Sequence, residues 1–348
     1  MTKIEWTEQT WNPIVGCSIV SPGCTNCYAM KMAARLQAMC ESGRYDCNGY
    51  VVRGGHPLDH YLGTTKPSKA GPVWTGKVAL ASDHSLLQPL RRKKPTMYFV
   101  NSMGDLFHEE TPTEWIDRVF AVMALTPHHT YQVLTKRSSL MRRYFQIDHD
   151  HDYMNRVDGE VWRLLGTHEG SKISHGGSWR PSWPLANVWL GVSAERQQEA
   201  DERIPDLLAT PCAVRFVSAE PLLGPIEFGP IVRDALFAGR IAPHGDGTRP
   251  LDWIIVGGES GRGARPMNSD WARSIRDQCA DAGVAFFFKQ WGEWLPVSQA
   301  PDNLTSNAVL DAGGSVSYGG YKLGKSRAGR LLDGREHNDM PKHTKEAA

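Results

Sequence analysis

Three cysteines, Cys17, Cys24 and Cys27, stand within eleven positions of one another in the segment GCSIVSPGCTNCYAMK, spaced C-x6-C-x2-C. Thiolates are soft anionic ligands suited to iron or zinc, and Gly16, Pro22 and Gly23 can turn a short loop so that its sulfurs face a common centre. Two metals fit this pattern. A four-iron, four-sulfur cluster (4Fe-4S) would leave one iron without a protein thiolate, open to the amino and carboxylate groups of S-adenosylmethionine. A zinc ion would need a fourth ligand, for which Cys40 and Cys47 are the candidates. Cys40 lies thirteen positions beyond Cys27. A continuous helix between them would separate the two by about 20 Å. Cys47 needs a return loop, which Asp46, Asn48 and Gly49 permit. Cys212 and Cys279 each adjoin an alanine and read as small buried residues.

The rest of the chain must position these thiols. It has 348 residues, of which 41% are apolar. That is enough for a sizeable core, and seven cysteines are too few for a disulfide scaffold. Lys and Arg total 39 against 38 Asp and Glu, so a net charge of +1 supplies no general attraction for nucleic acid. No run of about 18 apolar residues occurs, which leads us to expect no membrane span and a cytoplasmic protein.

Nearly continuous apolar strands alternate with amphipathic helices. Strands are expected at 97–100, 131–134, 188–192, 214–217, 253–256 and 284–288, with helices at 112–125, 197–208 and 270–282. Residues 11–15 and 77–80 add two short early strands, for a total of seven or eight. This alternation predicts an α/β fold, a complete or partial β/α barrel, with a doubly wound open sheet as the alternative. Residues 1–295 form the expected barrel, interrupted by loop insertions at 41–76 and 148–186, and 296–348 form a C-terminal extension that packs through Leu331 and Leu332 before a tail.

Polar residues recur just beyond the expected strands: Lys136, Glu195, Glu220, Glu259, Arg265, Lys289 and Gln290. A barrel would gather them on one rim, where Glu220 and Glu259 could bind a hydroxyl or amine and Lys136 or Arg265 an anion. The alternative is an ion-pair network tying loops to the sheet. Trp291 and Trp294 suit either stacking on a substrate or packing the last strand. His108, His128, His129, His149, His151, His168 and His175 are further ligand candidates. The basic run Arg91, Arg92, Lys93 and Lys94 supports a non-enzymatic nucleic-acid-binding reading.

The segments IEWTEQTWNPIVGCSIVSPGCTNCYA, KPTMYFVNSMGDLFHE, YQVLTKR, VWLGVSAE, RFVSAEPLLGPI, DWIIVGGESGRGARPM, FFFKQWGEW and GRLLDGRE resemble the phage Gp37/Gp68-like family, a domain family of unknown function. The resemblance covers most of the chain. Its cysteine segment is similar to that of radical S-adenosylmethionine enzymes, although the first gap is six residues where those enzymes commonly have three, and the residue before the third cysteine is Asn26 rather than an aromatic. The resemblance implies a barrel of the radical S-adenosylmethionine type, a 4Fe-4S cluster on Cys17, Cys24 and Cys27, and a flavodoxin or ferredoxin-type electron donor. From their places just beyond strands, Asn101, Ser102 and Asp105, with Ser193 and Glu195, are the groups expected to hold S-adenosylmethionine, and Lys136, Glu220 and Glu259 those expected at the reacting centre. Gly257, Gly258 and Glu259 repeat the Gly-Gly-Glu triplet of such enzymes, but after a late strand. The phage relationship makes a nucleic-acid-related substrate the one to consider, and zinc remains the alternative metal.

Overall fold

A computed structural model describes residues 4–42, 57–146, 152–167, 181–239, 241–242, 250–311, 313–317 and 319–341. Its principal sheet has seven strands: β1 (Gln9–Trp11), β2 (Met97–Val100), β3 (Thr130–Thr135), β4 (Val188–Ser193), β5 (Val214–Ala219), β6 (Trp253–Gly257) and β7 (Ala285–Gln290). They are hydrogen-bonded in chain order, β1 through β7. The pairs β1–β2, β2–β3, β5–β6 and β6–β7 are parallel. Strands laid down in chain order with helical returns make an α/β fold of the partial β/α-barrel kind, as the alternation of apolar runs and amphipathic helices predicts.

The chain divides into two compact units, one made of Met1–Val20 and Cys27–Leu190, the other of Ser21–Asn26 and Gly191–Ala348. In the first, α1 (Tyr28–Ser42) follows the cysteine segment, α2 (Thr113–Ala124) follows β2, and α3 (Ser138–Phe145) follows β3. The segment expected to be a loop insertion contains α4 (Tyr153–Leu165), started by Asp152, whose side chain accepts from the Met154 N–H. Its apolar positions Val157, Val161, Leu164 and Leu165 recur at helical spacing and are buried. Asp117 of α2 joins the three helices, accepting from the Tyr144 hydroxyl (2.7 Å) and from Arg156 Nε (3.0 Å). Such a carboxylate contributes only while both donors are present.

Two early expectations change. Pro13 divides residues 11–15 into β1 and a separate pair, Ile14–Val15, and the latter pairs antiparallel with Ala79–Leu80. The expected strand at 77–80 therefore belongs to a two-stranded ribbon and not to the principal sheet. In the 41–76 region, α1 continues to Ser42, and Thr65–Lys66 pairs antiparallel with Val73–Trp74.

In the second unit α5 (Gln197–Leu208) follows β4, α6 (Phe228–Phe237) follows β5, and α7 (Ser269–Ala282) follows β6. Every residue of β5 and β6 is buried; β6 accordingly reads as an apolar run without alternation, and in β5 the buried Arg215 is accommodated by donating to the Thr210 and Ala242 carbonyls. Gly191 makes room within this core, since a Cβ there would lie 2.5 Å from the Phe216 ring. Asn268 caps α7 by accepting from Asp270 N–H, and Gly283, at φ 64°, ends it in the left-handed conformation. Beyond β7, Trp294–Pro296, Gly320–Lys322 and Ser315–Ser317 form a small antiparallel sheet. Leu332 is fully buried, but the Leu331 side chain is exposed, because only its carbonyl is used, accepting from Trp291 Nε1 (2.8 Å).

Candidate functional site

The first unit places Cys17 in a charged network built from the ends of β2 and β3. Asn101 follows β2 directly at φ 57°. Asparagine tolerates that left-handed conformation better than most residues. Its Oδ1 accepts from the Ile14 N–H (3.2 Å), while its buried Nδ2 has no hydrogen-bond partner among the described residues. The Ser102 hydroxyl donates to Asn12 Oδ1 (3.0 Å), and the Ser102 carbonyl accepts from the hydroxyl of Tyr28, the residue after Cys27. Asp105 is buried and accepts from the Thr135 hydroxyl (2.7 Å), from the Lys136 N–H (3.0 Å) and from Arg137. Of the basic residues after β3, Arg137 occupies the centre of this network.

Its guanidinium donates to Asp105 Oδ2 (3.1 Å), Glu109 Oε2 (3.0 Å), the Ser18 hydroxyl (2.5 Å) and Cys17 Sγ (3.5 Å). Burial disfavours its charge, but Asp105, Cys17 and Glu109 more than offset this and hold it above its ordinary pKa. A thiol against a buried cation is favoured as the thiolate. His108, pushed below its usual pKa first by burial and then by Arg137, is held 3.1 Å from the Ser18 hydroxyl. Cys17 and Cys27 both pack against one core cluster that includes Val15, Ala33 and Met103.

Next to this network the first unit holds a cavity of about 760 Å³. Phe107, Ile116 and Tyr144 supply apolar surface, and His108, Glu109 and Arg143 are among its polar lining. His108 and Glu109 also belong to the Arg137 network, so the cavity wall and the Cys17 anchor share two side chains.

The second unit holds Cys24 by different means. Pro22–Cys24 is a 3-10 turn, closed by the Cys24 N–H on the Ser21 carbonyl (2.9 Å). The Ser21 hydroxyl donates to Glu195 Oε1 (2.5 Å), and a Cβ on Gly23 would lie 2.1 Å from the same oxygen. Glu195 is fully buried and paired with Arg203 NH1 (3.0 Å), a guanidinium that also donates to the Ser193 carbonyl. Arg265 NH2 donates to the Pro22 carbonyl (3.0 Å), and Arg265 is ion-paired with Glu259. Burial works against the charge of Glu259, but bonds from the Arg265 side chain and backbone, and from Asn26, leave its pKa below the ordinary value. Asn26 Nδ2 donates to the Gly263 carbonyl (2.9 Å).

Of the remaining expected site residues, Glu220 pairs with Lys289 Nζ (2.8 Å) and accepts from the Ser218 hydroxyl (3.1 Å). Gly257 lies beneath it, where a Cβ would be 2.7 Å from Glu220 Oε1. The side chains of Trp291 and Trp294 spend their indole N–H groups on the carbonyls of Leu331 and Ala264. Cys40 is fully buried and its thiol donates to Asp59 Oδ1 (3.2 Å). Cys47, His149, His151, His168 and His175 lie outside the described residues. Among the described residues no three His, Cys, Asp or Glu side chains are grouped as ligands for a metal ion, and no helix is long and apolar enough to cross a membrane.

Arg137, Arg203, Ser18 and Ser21 are participants that the sequence pattern does not single out. Arg137 carried one signal: it adjoins Lys136 at a strand exit, and only the planar fork of arginine serves several acceptors at once. Arg203 carried none, since its pairing with Glu195 depends on how α5 packs.

Residues 1–341 match a family described as a protein of unknown function, DUF5131. The chain belongs to the DUF5131 family. No curated protein and no solved structure matches it significantly. The DUF5131 match spans both compact units, and the residues around all three clustered cysteines fall within it.

Proposed function

We propose that this DUF5131 protein is a radical S-adenosylmethionine enzyme in which Cys17, Cys24 and Cys27 hold a 4Fe-4S cluster. The observation that carries the reading is the contact of the buried Arg137 guanidinium with Cys17 Sγ, because a cluster ligand must be a thiolate and an adjacent cation favours that form. None of the three cysteines is in a disulfide. Their spacing leaves the chain one thiolate short of four, the ligand set of a cluster that keeps one iron for a cofactor. The buried Asn101 Nδ2, which has no partner among the described residues, fits the cofactor too, since a donor of this kind wants a carboxylate or hydroxyl acceptor.

When bound, the cluster supplies the electron that cleaves the sulfonium carbon–sulfur bond and yields a carbon radical. The chain's own residues then have binding and orienting tasks. Asn101 donates through Nδ2 to the cofactor's carboxylate, and the Ser102 hydroxyl can exchange Asn12 for the cofactor. Asp105 and the Lys136 backbone fix the loop that carries them. The Glu220–Lys289 pair has side-chain exposures of 13% and 18%. It is open enough to meet a polar group of the substrate. The first unit's cavity beside His108 and Glu109 is lined mostly by polar and charged side chains, with Phe107, Ile116 and Leu140 as its apolar part, and so suits a polar or charged substrate. A flavodoxin or ferredoxin-type protein is the matching reductant, and a nucleic-acid-related substrate the first to try.

The non-catalytic nucleic-acid reading is less well supported. In the basic run, Arg91 and Arg92 already donate to the His84 carbonyl and the Thr96 hydroxyl, and its exposed charges are Arg91, Lys93 and Lys94.

The test is anaerobic reconstitution with iron and sulfide analysis, followed by electron paramagnetic resonance of the reduced protein. About four irons per chain, a signal altered by S-adenosylmethionine and formation of 5′-deoxyadenosine are the expected results. Tightly held zinc with no cluster would overturn the reading.

A further inference from the structure

The second unit's rim carboxylates and arginines are not equivalent. Glu220 and Lys289 pair with each other, whereas Glu195, Glu259 and Arg265 converge on the six residues Ser21–Asn26. Four contacts fasten that turn to the end of the sheet. Ser21 donates its hydroxyl to Glu195 (2.5 Å), and Gly23 is pressed so close to Glu195 that no side chain would fit. The Pro22 carbonyl takes the Arg265 guanidinium (3.0 Å), and Asn26 bonds the Gly263 carbonyl (2.9 Å) on the loop that Arg265 and Glu259 close.

The two anchoring side chains are themselves fixed. Glu195 is fully buried and is locked by Arg203, whose side chain is only 3% exposed and bonded in addition to the Ser193 carbonyl. Arg265 is held through three donors: its N–H and Nε reach Glu259 Oε2 (each 2.8 Å), and NH2 reaches Glu259 Oε1. A charged group whose lone pairs or N–H groups are already engaged is poorly placed to meet a substrate, but well placed to fix a backbone.

We infer that Glu195 and Arg265 are positioning residues for the Cys24 thiol, holding the Ser21–Asn26 turn in one conformation from its two sides. Arg203 and Glu259 keep these two in place. The positioning of the thiol stands on the geometry alone; that the positioned thiol is a metal ligand rests on the function proposed above.

The experiment reads the two separately. Cys24 is 7% exposed and Cys279 1% exposed, and the full-length chain is first kept free of added iron. The alkylation rate of each, mapped by mass spectrometry, therefore reports local opening against an internal control. Ser21→Ala and Arg265→Ala should speed alkylation of Cys24 about tenfold, the effect of losing one charge-assisted hydrogen bond, and leave Cys279 unchanged. Arg265→Lys, which keeps a donor for the Pro22 carbonyl, should fall between Arg265→Ala and the parent. Ser21→Ala leaves the buried Glu195–Arg203 pair intact, but the Ser21 hydroxyl also lies 3.9 Å from Cys24 Sγ, so Arg265→Ala, which removes from the turn only the bond to the Pro22 carbonyl, is the arm that reads positioning without touching the sulfur. Unchanged Cys24 rates in both alanine variants would overturn the inference, as would equal acceleration of Cys24 and Cys279. After reconstitution the same two variants should retain less iron than the parent, with an altered resonance signal that Arg265→Lys partly restores. If the parent takes up no iron, the proposed function fails while the alkylation rates still decide the positioning role.

Discussion

In the first unit Arg137 reaches the sulfur of Cys17, whereas in the second Arg265 reaches no sulfur and holds the Pro22 carbonyl of the turn that carries Cys24. Both arginines are paired with a carboxylate at a strand end, Asp105 or Glu259. Arg137 is almost wholly buried and the Arg265 side chain is 36% exposed. A buried guanidinium 3.5 Å from a thiol acts on its charge; a partly exposed one on a carbonyl acts on its position. The pairing of an arginine with a carboxylate after a strand therefore does not say what the pair is for. The third group that it touches does.

The largest expected effect comes from Arg137→Ala. Asp105 would be left buried without its cation, which should cost about 3–5 kcal/mol in urea unfolding. Arg265→Ala also strands a buried carboxylate, Glu259, which is 5% exposed against 6% for Asp105, so its cost should approach that of Arg137→Ala, reduced only by the easier entry of water at the more open arginine.

The first unit also carries an acid response in its core, apart from the Arg137 network. Burial first, and then the neighbouring His128, lower the pKa of His129 from 6.5 to about 4, and its ring is held by the Pro89 carbonyl and packed on Tyr98 and Tyr131. The unfolded chain then takes up this proton before the folded one does. Stability should fall as the pH drops from 6.5 to about 4, by on the order of 3 kcal/mol, and the trend should level off below. His129→Gln should flatten that part of the pH profile, measured by urea titration at each pH. An unchanged slope would assign the acid sensitivity elsewhere.

Position control in the second unit is probed by Gly23→Ala. The added methyl meets a glutamate already locked by Arg203, so the turn must move, at about 1–3 kcal/mol. Cys24 should then become the faster-alkylated thiol while Cys17 stays as it was. The smallest effect is expected from Cys279→Ala. Burial raises that thiol's pKa to about 12, so it is inert. Its loss should cost about 1 kcal/mol of packing with no change in iron content.

Much of the frame was legible in the chain. Met97–Val100 and Gln197–Leu208 have the bounds that their residue patterns predict, because a buried strand and an amphipathic helix impose periods that need no partner to be visible. The strand at 253–256 continues one residue further, to Gly257. Where the pattern misled, a local rule met a tertiary one. Ala79–Leu80 looked like a barrel strand, yet with two residues it can join only a ribbon, and its pairing with Ile14–Val15 is long-range. The helix Tyr153–Leu165 was hidden by the polar residues around it, although its own apolar positions keep helical spacing.

Read alone, the chain specifies the three clustered thiols, the strand ends at which polar residues gather, and the glycines that those ends require. Which polar residue serves which thiol is not written in it. Lys136 and Arg137 are neighbours in the chain, and packing alone brings Arg137 to Cys17; Glu195 and Glu220 both follow strands, and packing gives one to the Cys24 turn and the other to Lys289. The reason is physical: periodicity is a property of the local backbone, whereas the partner of a charged side chain is set by distances that close only when remote segments pack together.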